Sequence, residues 1–341
     1  MRVAVTGASG LLGSMVVHKA FPRDGTGSPF AQPVSLLALT RSRALKAPGT
    51  PAGGPGGAPA SADTDEPELR VQTAELTQED SWRRPLEDFR PHALIHCAAL
   101  THVDRCEEDP QEARRQNALV PQALARWCAR EGVRLVHIST DGVFSGPIPP
   151  GGFPEGHSPS PVNVYGATKA EGEQRVLEVF PEALVVRTNL FGWGLDGPAA
   201  LAGWILRTLE GDAPVPGWTD VRFNPLFTGT LAAELLKLAV QPPPGPTGLL
   251  HVAAGDAMSK HDFARAVAVE WGYSPERVKA TRSTDASLKA RRSLDTTLAV
   301  TRWEALRGAG APFVEEEVAA MHRFGTEEAH GLEVLGARHE P

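Results

Sequence analysis

The stretch Thr6-Gly7-Ala8-Ser9-Gly10-Leu11-Leu12-Gly13 decides the fold. It follows a short apolar run, Val3–Val5, and opens the segment Leu11–Ala20, in which apolar residues recur at helical spacing. Glycine lets the backbone turn tightly and approach a phosphate, and a helix start presents unpaired N–H groups to an anion. The order of strand, glycine turn and helix predicts a dinucleotide-binding turn. The residues expected to contact the cofactor here are Gly7, Ser9, Gly10, Leu11, Leu12 and Gly13.

Beyond this turn, short apolar runs alternate with helical patterns. The predicted strands are Val3 to Thr6, Val34 to Leu39, Leu69 to Thr73, Ala93 to Cys97, Leu135 to Ser139 and Ala183 to Arg187. The clearest predicted helices are Leu11 to Ala20, Glu108 to Glu131 and Val164 to Phe180. Because crossovers between parallel strands are right-handed and cover both faces of a sheet, this alternation predicts an α/β fold with a doubly wound parallel sheet, the Rossmann architecture.

The texture of the sequence changes after Arg187, where Gly, Trp and Pro become frequent. Insertions after late strands commonly form the walls of a substrate pocket, so we expect a smaller C-terminal substrate-binding domain. The expected organisation is a nucleotide-binding domain at 1–188 to which part of 225–250 returns, and a substrate-binding region at 189–325. Residues 47–62 hold almost only small residues and proline and are predicted to be a flexible insert, and 326–341 a loose tail.

The composition excludes several classes of protein. Hydrophobic residues make up 41% and charged residues 22% of the 341, which is usual for a globular chain. A formal net charge of −7 without a Lys/Arg run argues against a nucleic-acid partner. No run reaches membrane-spanning length, no signal peptide is visible, and the three cysteines suit reduced thiols, so we expect a cytoplasmic location. The eleven histidines lack metal-ligand spacing, and no metal is expected.

The end of the second predicted strand, Leu39-Thr40-Arg41-Ser42-Arg43, indicates which cofactor binds. A site that prefers NAD usually places Asp or Glu here against the ribose 2′-hydroxyl, and this stretch has neither. Arg41 and Arg43 can pair instead with a 2′-phosphate, which favours NADP(H), although two solvated arginines at a loop start are the alternative. After the fourth strand, Ala98 and Ala99 are small where the backbone must pass close to the cofactor.

Three residues form a candidate catalytic set. Tyr165 and Lys169 are four residues apart on one face of a predicted helix. A cation beside a phenol favours the phenolate, so we expect Lys169 to lower the pKa of Tyr165 and make it a general acid/base. Thr140 emerges at the carboxyl end of the fifth strand and is expected to hold a carbonyl oxygen beside Tyr165. A surface Tyr/Lys pair and a strand-end cap are the alternatives.

Longer motifs around these residues resemble those of the extended short-chain dehydrogenase/reductases, and among them the dTDP-4-dehydrorhamnose reductases. The motifs are His96-Cys97-Ala98-Ala99-Leu100-Thr101-His102-Val103-Asp104, Asn117, Ile138-Ser139-Thr140-Asp141-Gly142-Val143-Phe144-Ser145-Gly146, Asn163-Val164-Tyr165-Gly166-Ala167-Thr168-Lys169-Ala170-Glu171-Gly172-Glu173 and Val186-Arg187-Thr188. The resemblance implies a catalytic set of Thr140, Tyr165 and Lys169, of which Tyr165 and Lys169 also contact the cofactor, and it implies hydride delivery to a 4-keto sugar. The partner is then a nucleotide-sugar substrate, and a homodimer stays open.

Residues in the second half complete the expected site. The expected substrate-binding residues are Thr101, Asp141, Asn189, Arg222 and Arg292. Arg222 and the pair Arg291-Arg292 lie where relatives tend to bind a nucleotide diphosphate, and an ordinary surface role is the alternative for each.

Some positions depart from the pattern of those reductases. Gly142 stands where they usually have an aromatic residue, and Asn189-Leu190-Phe191-Gly192-Trp193 replaces a motif with an early Trp. Related dehydratases carry two acids after the catalytic Thr, whereas Asp141-Gly142 supplies one, which favours simple reduction. Two alternatives remain at this level. One is a non-catalytic NADP-binding regulatory subunit resembling that of methionine adenosyltransferase, and the other is a sugar-nucleotide epimerase or dehydratase.

Overall fold

A computed structural model describes residues 1–21, 34–41, 45, 68–242 and 244–327 of the chain. Arg43 and the predicted insert at 47–62 lie outside these residues, as does the predicted tail from residue 328 onward.

The strands and helices follow the predicted alternation and then continue into the C-terminal region. The strands are β1 (Arg2–Thr6), β2 (Ser35–Thr40), β3 (Leu69–Thr73), β4 (Ala93–His96), β5 (Arg134–Thr140), β6 (Leu184–Thr188), β7 (Leu190–Gly194), β8 (Gly197–Ala199), β9 (Val215–Trp218), β10 (Arg222–Phe223), β11 (Leu226–Phe227), β12 (Gly248–His251), β13 (Met258–Ser259) and β14 (Val278–Thr281). The helices are α1 (Leu11–Ala20), α2 (Glu79–Phe89), α3 (Val103–Glu108), α4 (Pro110–Arg114), α5 (Val120–Glu131), α6 (Val164–Val179), α7 (Ala200–Glu210), α8 (Thr228–Val240), α9 (Lys260–Glu270), α10 (Thr301–Arg307) and α11 (Val314–Glu327).

The central sheet has seven parallel strands in the order β12-β6-β5-β4-β1-β2-β3. This arrangement confirms the predicted α/β class. The strand order changes direction between β1 and β4, where Thr6 pairs with His96, and ligands of such sheets bind beyond this switch point. The carboxyl ends of β5 and β6 are adjacent, with Thr140 paired to Thr188. The sheet therefore brings the glycine turn and the end of β5 to the same edge.

Apolar residues cover both faces of the sheet. On one face, Val5 and Ile95 are buried in a cluster with helices α1 and α8 that continues into the C-terminal region. On the other face, Leu37 and Leu94 pack in a second cluster with Trp82 of α2 and with α5. Helix α8 and strand β12 thus lie with the central sheet, whereas β9, β14, α7 and α9 pack together beside it.

The predicted helix from Glu108 to Glu131 is broken at its start. Helix α3 ends at Glu108, and Asp109 then begins α4, because its carboxylate accepts the Glu112 N–H at 2.9 Å and Pro110 suits the first helical turn. A π-helical turn, Arg115–Leu119, joins α4 to α5. Among the described residues, no helix is long and apolar enough to cross a membrane.

Candidate active site

The glycine turn after β1 has the geometry that an anion needs. Gly7 has a φ of +66°, and a Cβ at this position would lie 2.8 Å from the backbone nitrogen of Ala98. Only glycine therefore fits between the turn and the segment after β4. Gly10 precedes α1 without a side-chain cap, and the first turn of α1 holds no acidic residue. The N-terminus of α1 is open to an anionic ligand.

A cleft of about 610 Å³ runs along the carboxyl edge of the sheet from this turn to the end of β5. It brings together fifteen of the residues predicted from the sequence, which are Gly7, Ser9, Gly10, Leu11, Leu12, Gly13, Arg41, Ala98, Ala99, Thr101, Thr140, Asp141, Tyr165, Lys169 and Asn189. Arg222 and Arg292 do not line it.

Helix α6 and the end of β5 position the candidate catalytic groups. Asn163 caps α6 by accepting the Gly166 N–H at 2.8 Å. A Cβ at Gly166 would lie 2.3 Å from the carbonyl oxygen of Gly142, so glycine allows α6 to approach the segment after β5. Tyr165 consequently lies beside Thr140, whose hydroxyl favours the phenolate form of Tyr165.

The pKa values in the cleft differ from the sequence-based expectation. Burial raises the pKa of Tyr165 to about 12, against the lowering effect of the Thr140 hydrogen bond. Burial also lowers the pKa of Lys169 to about 8, which the charge of Glu173 opposes. Lys169 Nζ donates to the carbonyl oxygen of Ile138 at 2.7 Å. The expectation that Lys169 lowers the pKa of Tyr165 is not met in this structure, because burial has the largest effect on the phenol and Lys169 contributes no shift.

Asp141 is a buried carboxylate beside the candidate catalytic groups. It accepts hydrogen bonds from Thr140 Oγ1 at 3.1 Å, Asn189 Nδ2 at 2.6 Å and Thr296 Oγ1 at 2.5 Å. Burial raises the pKa of Asp141, and these hydrogen bonds oppose that rise. Thr296 comes from the far end of the chain and was missed in the sequence, where nothing near it marks a site.

A buried ion pair supports the floor of the cleft. Glu173 on α6 accepts two hydrogen bonds from Arg187 on β6, at 2.9 and 2.6 Å, and one from Ser139 at 2.5 Å. The side chains of Glu173 and Arg187 are 4% and 2% exposed. Because a buried charge is costly without a partner, this pair ties α6 to the sheet beneath Lys169.

Other cleft residues were missed at the sequence level. They are Ala74, Glu75, Leu76, Arg105, Glu112 and Gln116, among others. The first three directly follow β3, so the rule that ligands bind beyond strand carboxyl ends could have identified them. The last three lie on α3, α4 and the π-helical turn, whose breaks were not predicted.

A second pocket of about 460 Å³ lies in the C-terminal region and is mostly apolar. Its walls are Leu201, Trp204, Ile205, Pro216, Trp218, Lys260, Ala264, Thr281, Arg282, Asp285 and Ala286. The predicted diphosphate ligands have protein partners instead. Arg222 donates to the Ala257 carbonyl oxygen at 2.8 Å, and Arg292 lies 3.0 Å from Asp104 Oδ1. Within the described ranges, no group of His, Cys, Asp and Glu is arranged to hold a metal ion.

Comparison with known proteins agrees with this geometry. A dTDP-4-dehydrorhamnose reductase of Mycolicibacterium smegmatis is 32% identical over 281 residues, which cover 82% of this chain and 72% of that protein. A probable low-salt glycan biosynthesis reductase of Haloferax volcanii is 30% identical over 327 residues, covering 94% and 97% of the two chains.

A solved structure shows the same fold. It is a dTDP-4-dehydrorhamnose reductase from Bacillus anthracis in complex with NADP, and it matches with a TM-score of 0.73 at 24% identity over 94% of this chain and 98% of that chain. The family model described as RmlD substrate binding domain matches residues 1–324. The chain therefore belongs to this family of extended short-chain dehydrogenase/reductases.

Proposed function

We propose that this protein uses NADPH to reduce a keto group on a nucleotide-linked sugar, as the names of its reductase relatives suggest. The observation that carries the proposal is the meeting of Thr140, Tyr165 and Lys169 in one cleft with the glycine turn. The first substrate to test is dTDP-4-dehydrorhamnose, a dTDP-linked 4-keto-6-deoxy sugar. The relative from Mycolicibacterium smegmatis is named as the reductase of this compound.

The cofactor half of the cleft fits a dinucleotide. The uncapped start of α1 and the bare backbone of Gly7 and Gly10 can hold a diphosphate, and Arg41 at the end of β2 can pair with a 2′-phosphate. Bound NADPH would supply the hydride. Lys169 lies where it can hold the cofactor's ribose, and its ammonium is already ordered by the Ile138 carbonyl.

Proton transfer falls to Tyr165. Negative charge grows on the carbonyl oxygen as hydride reaches the carbon, so a nearby acid must supply a proton. A phenol with a pKa of about 12 is fully protonated at neutral pH and can act as that donor. Thr140, which lies beside Tyr165, is placed to hold the same oxygen. Asp141, Asn189 and Thr101 then face the sugar, and the apolar pocket takes the base.

The test is an assay of turnover with a panel of nucleotide-linked keto sugars. The loss of NADPH absorbance measures the turnover of each sugar. Net oxidation of NADPH, one per sugar reduced, is expected. An epimerase or dehydratase would transform the sugar without consuming free NADPH. A regulatory subunit would bind NADPH, reduce no sugar and strengthen a partner enzyme. Asp141-Gly142 offers a single acid, which supports reduction over dehydration.

Cofactor preference is tested separately. Arg41→Ala should weaken NADPH binding by about tenfold, the scale of one charge-assisted pair, and leave NADH binding within about twofold. Titration of both cofactors measures this. Equal losses of affinity for NADPH and NADH would remove Arg41 from the 2′-phosphate site.

The homodimer stays a prediction. A measurement of the protein's mass in solution checks it.

A further inference from the structure

Lys260 is a cation at the edge of the apolar pocket, at the start of α9. Its Nζ lies 4.9 Å from the ring centre of Trp218 and 6.0 Å from that of Phe223, so aromatic faces hold the ammonium. Its backbone N–H donates to the Val221 carbonyl oxygen at 2.9 Å, which fixes the helix start. In the part of the chain that the structure describes, no oxygen lies within hydrogen-bonding or ion-pair distance of Nζ.

The surroundings of Lys260 are electrostatically unfavourable for a bare cation. The N-terminus of α9 carries a positive dipole end, and the acid in its first turn, Asp262, is bound to Ser259 and His261 at 2.7 and 3.2 Å. Burial lowers the pKa of Lys260, the charge of Asp141 raises it, and the charge of Arg292 lowers it. Lys260 is half-buried, and a partly desolvated ammonium without an acceptor is costly, so an anion at Nζ would relieve that cost.

The two arginines expected to bind a diphosphate are already engaged. Arg222 donates to the Ala257 carbonyl oxygen and lies 3.9 Å from Asp295. Arg292 contacts both Asp104 and the carbonyl oxygen of Ala290, at 3.0 Å each. An incoming anion would have to compete with these partners for the two arginines. The N–H groups of the Lys260 ammonium have no such competing partner among the described residues.

The location of Lys260 indicates which kind of anion it would bind. On one side the ammonium borders the apolar pocket with Trp204 and Trp218, whose size and lining suit a nucleobase. On the other side its charge acts on Asp141 in the catalytic cleft. We propose that Lys260 binds the diphosphate of a nucleotide-linked sugar, where the substrate passes from the base pocket to the catalytic cleft. This inference rests on the proposed function, since it takes the substrate to carry a nucleoside diphosphate.

Binding of dTDP and UDP, compared with thymidine and uridine, tests the assignment without turnover. Calorimetric titrations are made with NADP⁺ at saturation, so that the glycine turn is occupied. In wild type, each nucleoside diphosphate should bind about tenfold or more tightly than its nucleoside, and only the diphosphates should weaken as salt rises. Lys260→Met should weaken the diphosphates by about tenfold or more and the nucleosides by less than about twofold.

Two variants serve as controls. Lys260→Arg keeps the positive charge and should retain most of the diphosphate affinity. Lys279→Met removes an exposed lysine on β14 that lines neither pocket, and it should change nothing. If Lys260→Met fails to fold, the salt titration of wild type and the Lys260→Arg titration still decide, because salt-insensitive diphosphate binding would overturn the inference.

Failure of the inference is distinct from failure of the proposed function. Equal losses of diphosphate and nucleoside in Lys260→Met would mean that Lys260 only shapes the aromatic wall, and no loss would mean that it does not touch the ligand. Keto-sugar reduction with an unchanged KM in Lys260→Met would overturn the inference and leave the function standing. Lys260-dependent diphosphate binding by a protein that reduces no keto sugar would support the inference and overturn the function.

Discussion

The two halves of the site are built in different ways. The cofactor half comes largely from one continuous stretch, residues 6–13, and its phosphate contacts would come from backbone N–H groups that any dinucleotide can use. The substrate half gathers side chains from distant parts of the chain around Asp141, including Asn189 and Thr296. A short motif therefore specifies the first half, whereas only the complete fold specifies the second.

This difference has a consequence for mutations. Changes in the cofactor half act through backbone space, so a single added methyl group can block the ligand. Changes in the substrate half remove one of several hydrogen bonds or charges, so each should have a smaller effect. Tyr165, the proposed proton donor, lies where the halves meet and should be the most sensitive residue of all.

The largest effect is expected for Tyr165→Phe, which keeps the ring and removes the hydroxyl that we propose as the proton donor. Turnover should fall by about 10²-fold or more, the usual loss for a general acid, while NADPH affinity stays within a few-fold. Tyr273→Phe is the matched control, since Tyr273 is the other tyrosine of the chain and lies outside the cleft. Wild-type turnover in Tyr165→Phe would refute the assignment of the donor.

A methyl group in the glycine turn should have the next largest effect. Gly7→Ala places a Cβ 2.8 Å from the Ala98 backbone nitrogen at a φ of +66°, so the turn must move and NADPH affinity should fall by tens of fold, roughly. Gly132→Ala is the control, because Gly132 has the same φ but nothing within 4 Å of its Cβ position. It should cost about 1 kcal/mol of stability and no NADPH affinity. Equal NADPH binding in both variants would contradict this view of the turn.

The same contrast explains what could be predicted from the sequence. The glycine turn and six of the seven strands of the central sheet follow from local signals, and these strands were predicted with ends shifted by about a residue, whereas β12 was not predicted as a strand. The pKa of Tyr165 could not be predicted, because it depends on burial by segments that are distant in sequence. Thr296 and Lys260 have no local signal, since each acquires its neighbours only when the C-terminal region packs against the sheet.

A smaller effect is expected in the pH dependence of kcat/KM. Above the pKa of Lys169, kcat/KM should fall by about tenfold for each pH unit. Lys169 has a pKa of about 8, so its ammonium is present below that pH and is lost as the pH rises through it. Tyr165 and Cys97 have pKa values of about 12 and His96 of about 3, so none of them produces this limb. Burial also lowers the pKa of Lys260, so the profile is repeated in Lys260→Arg, and a limb that stays in place belongs to Lys169. The measurement is kcat/KM from pH 6 to 10. A flat profile to pH 10 would show that the charge of Lys169 is not needed.

The smallest effect is expected for Thr296→Val, which tests the substrate half. The change keeps the shape of the side chain and removes the 2.5 Å hydrogen bond to Asp141, one of three that this carboxylate accepts. Because that bond lowers the pKa of Asp141, its loss should raise the pKa and move the acidic limb of kcat/KM to higher pH. The KM for the keto sugar should rise by roughly three- to tenfold, the value of one hydrogen bond, with NADPH binding unchanged.

Two further variants decide whether Thr296 acts through Asp141. Thr296→Ser restores the hydroxyl and should restore both the KM and the acidic limb. Thr297→Val removes the neighbouring hydroxyl, which donates to Asp295 at 2.6 Å rather than to the site, and it should leave both unchanged. If Thr296→Val and Thr297→Val weaken the sugar equally and neither moves the acidic limb, Thr296 holds only the C-terminal segment in place, and the substrate half would then rest on Asp141 and Asn189 alone.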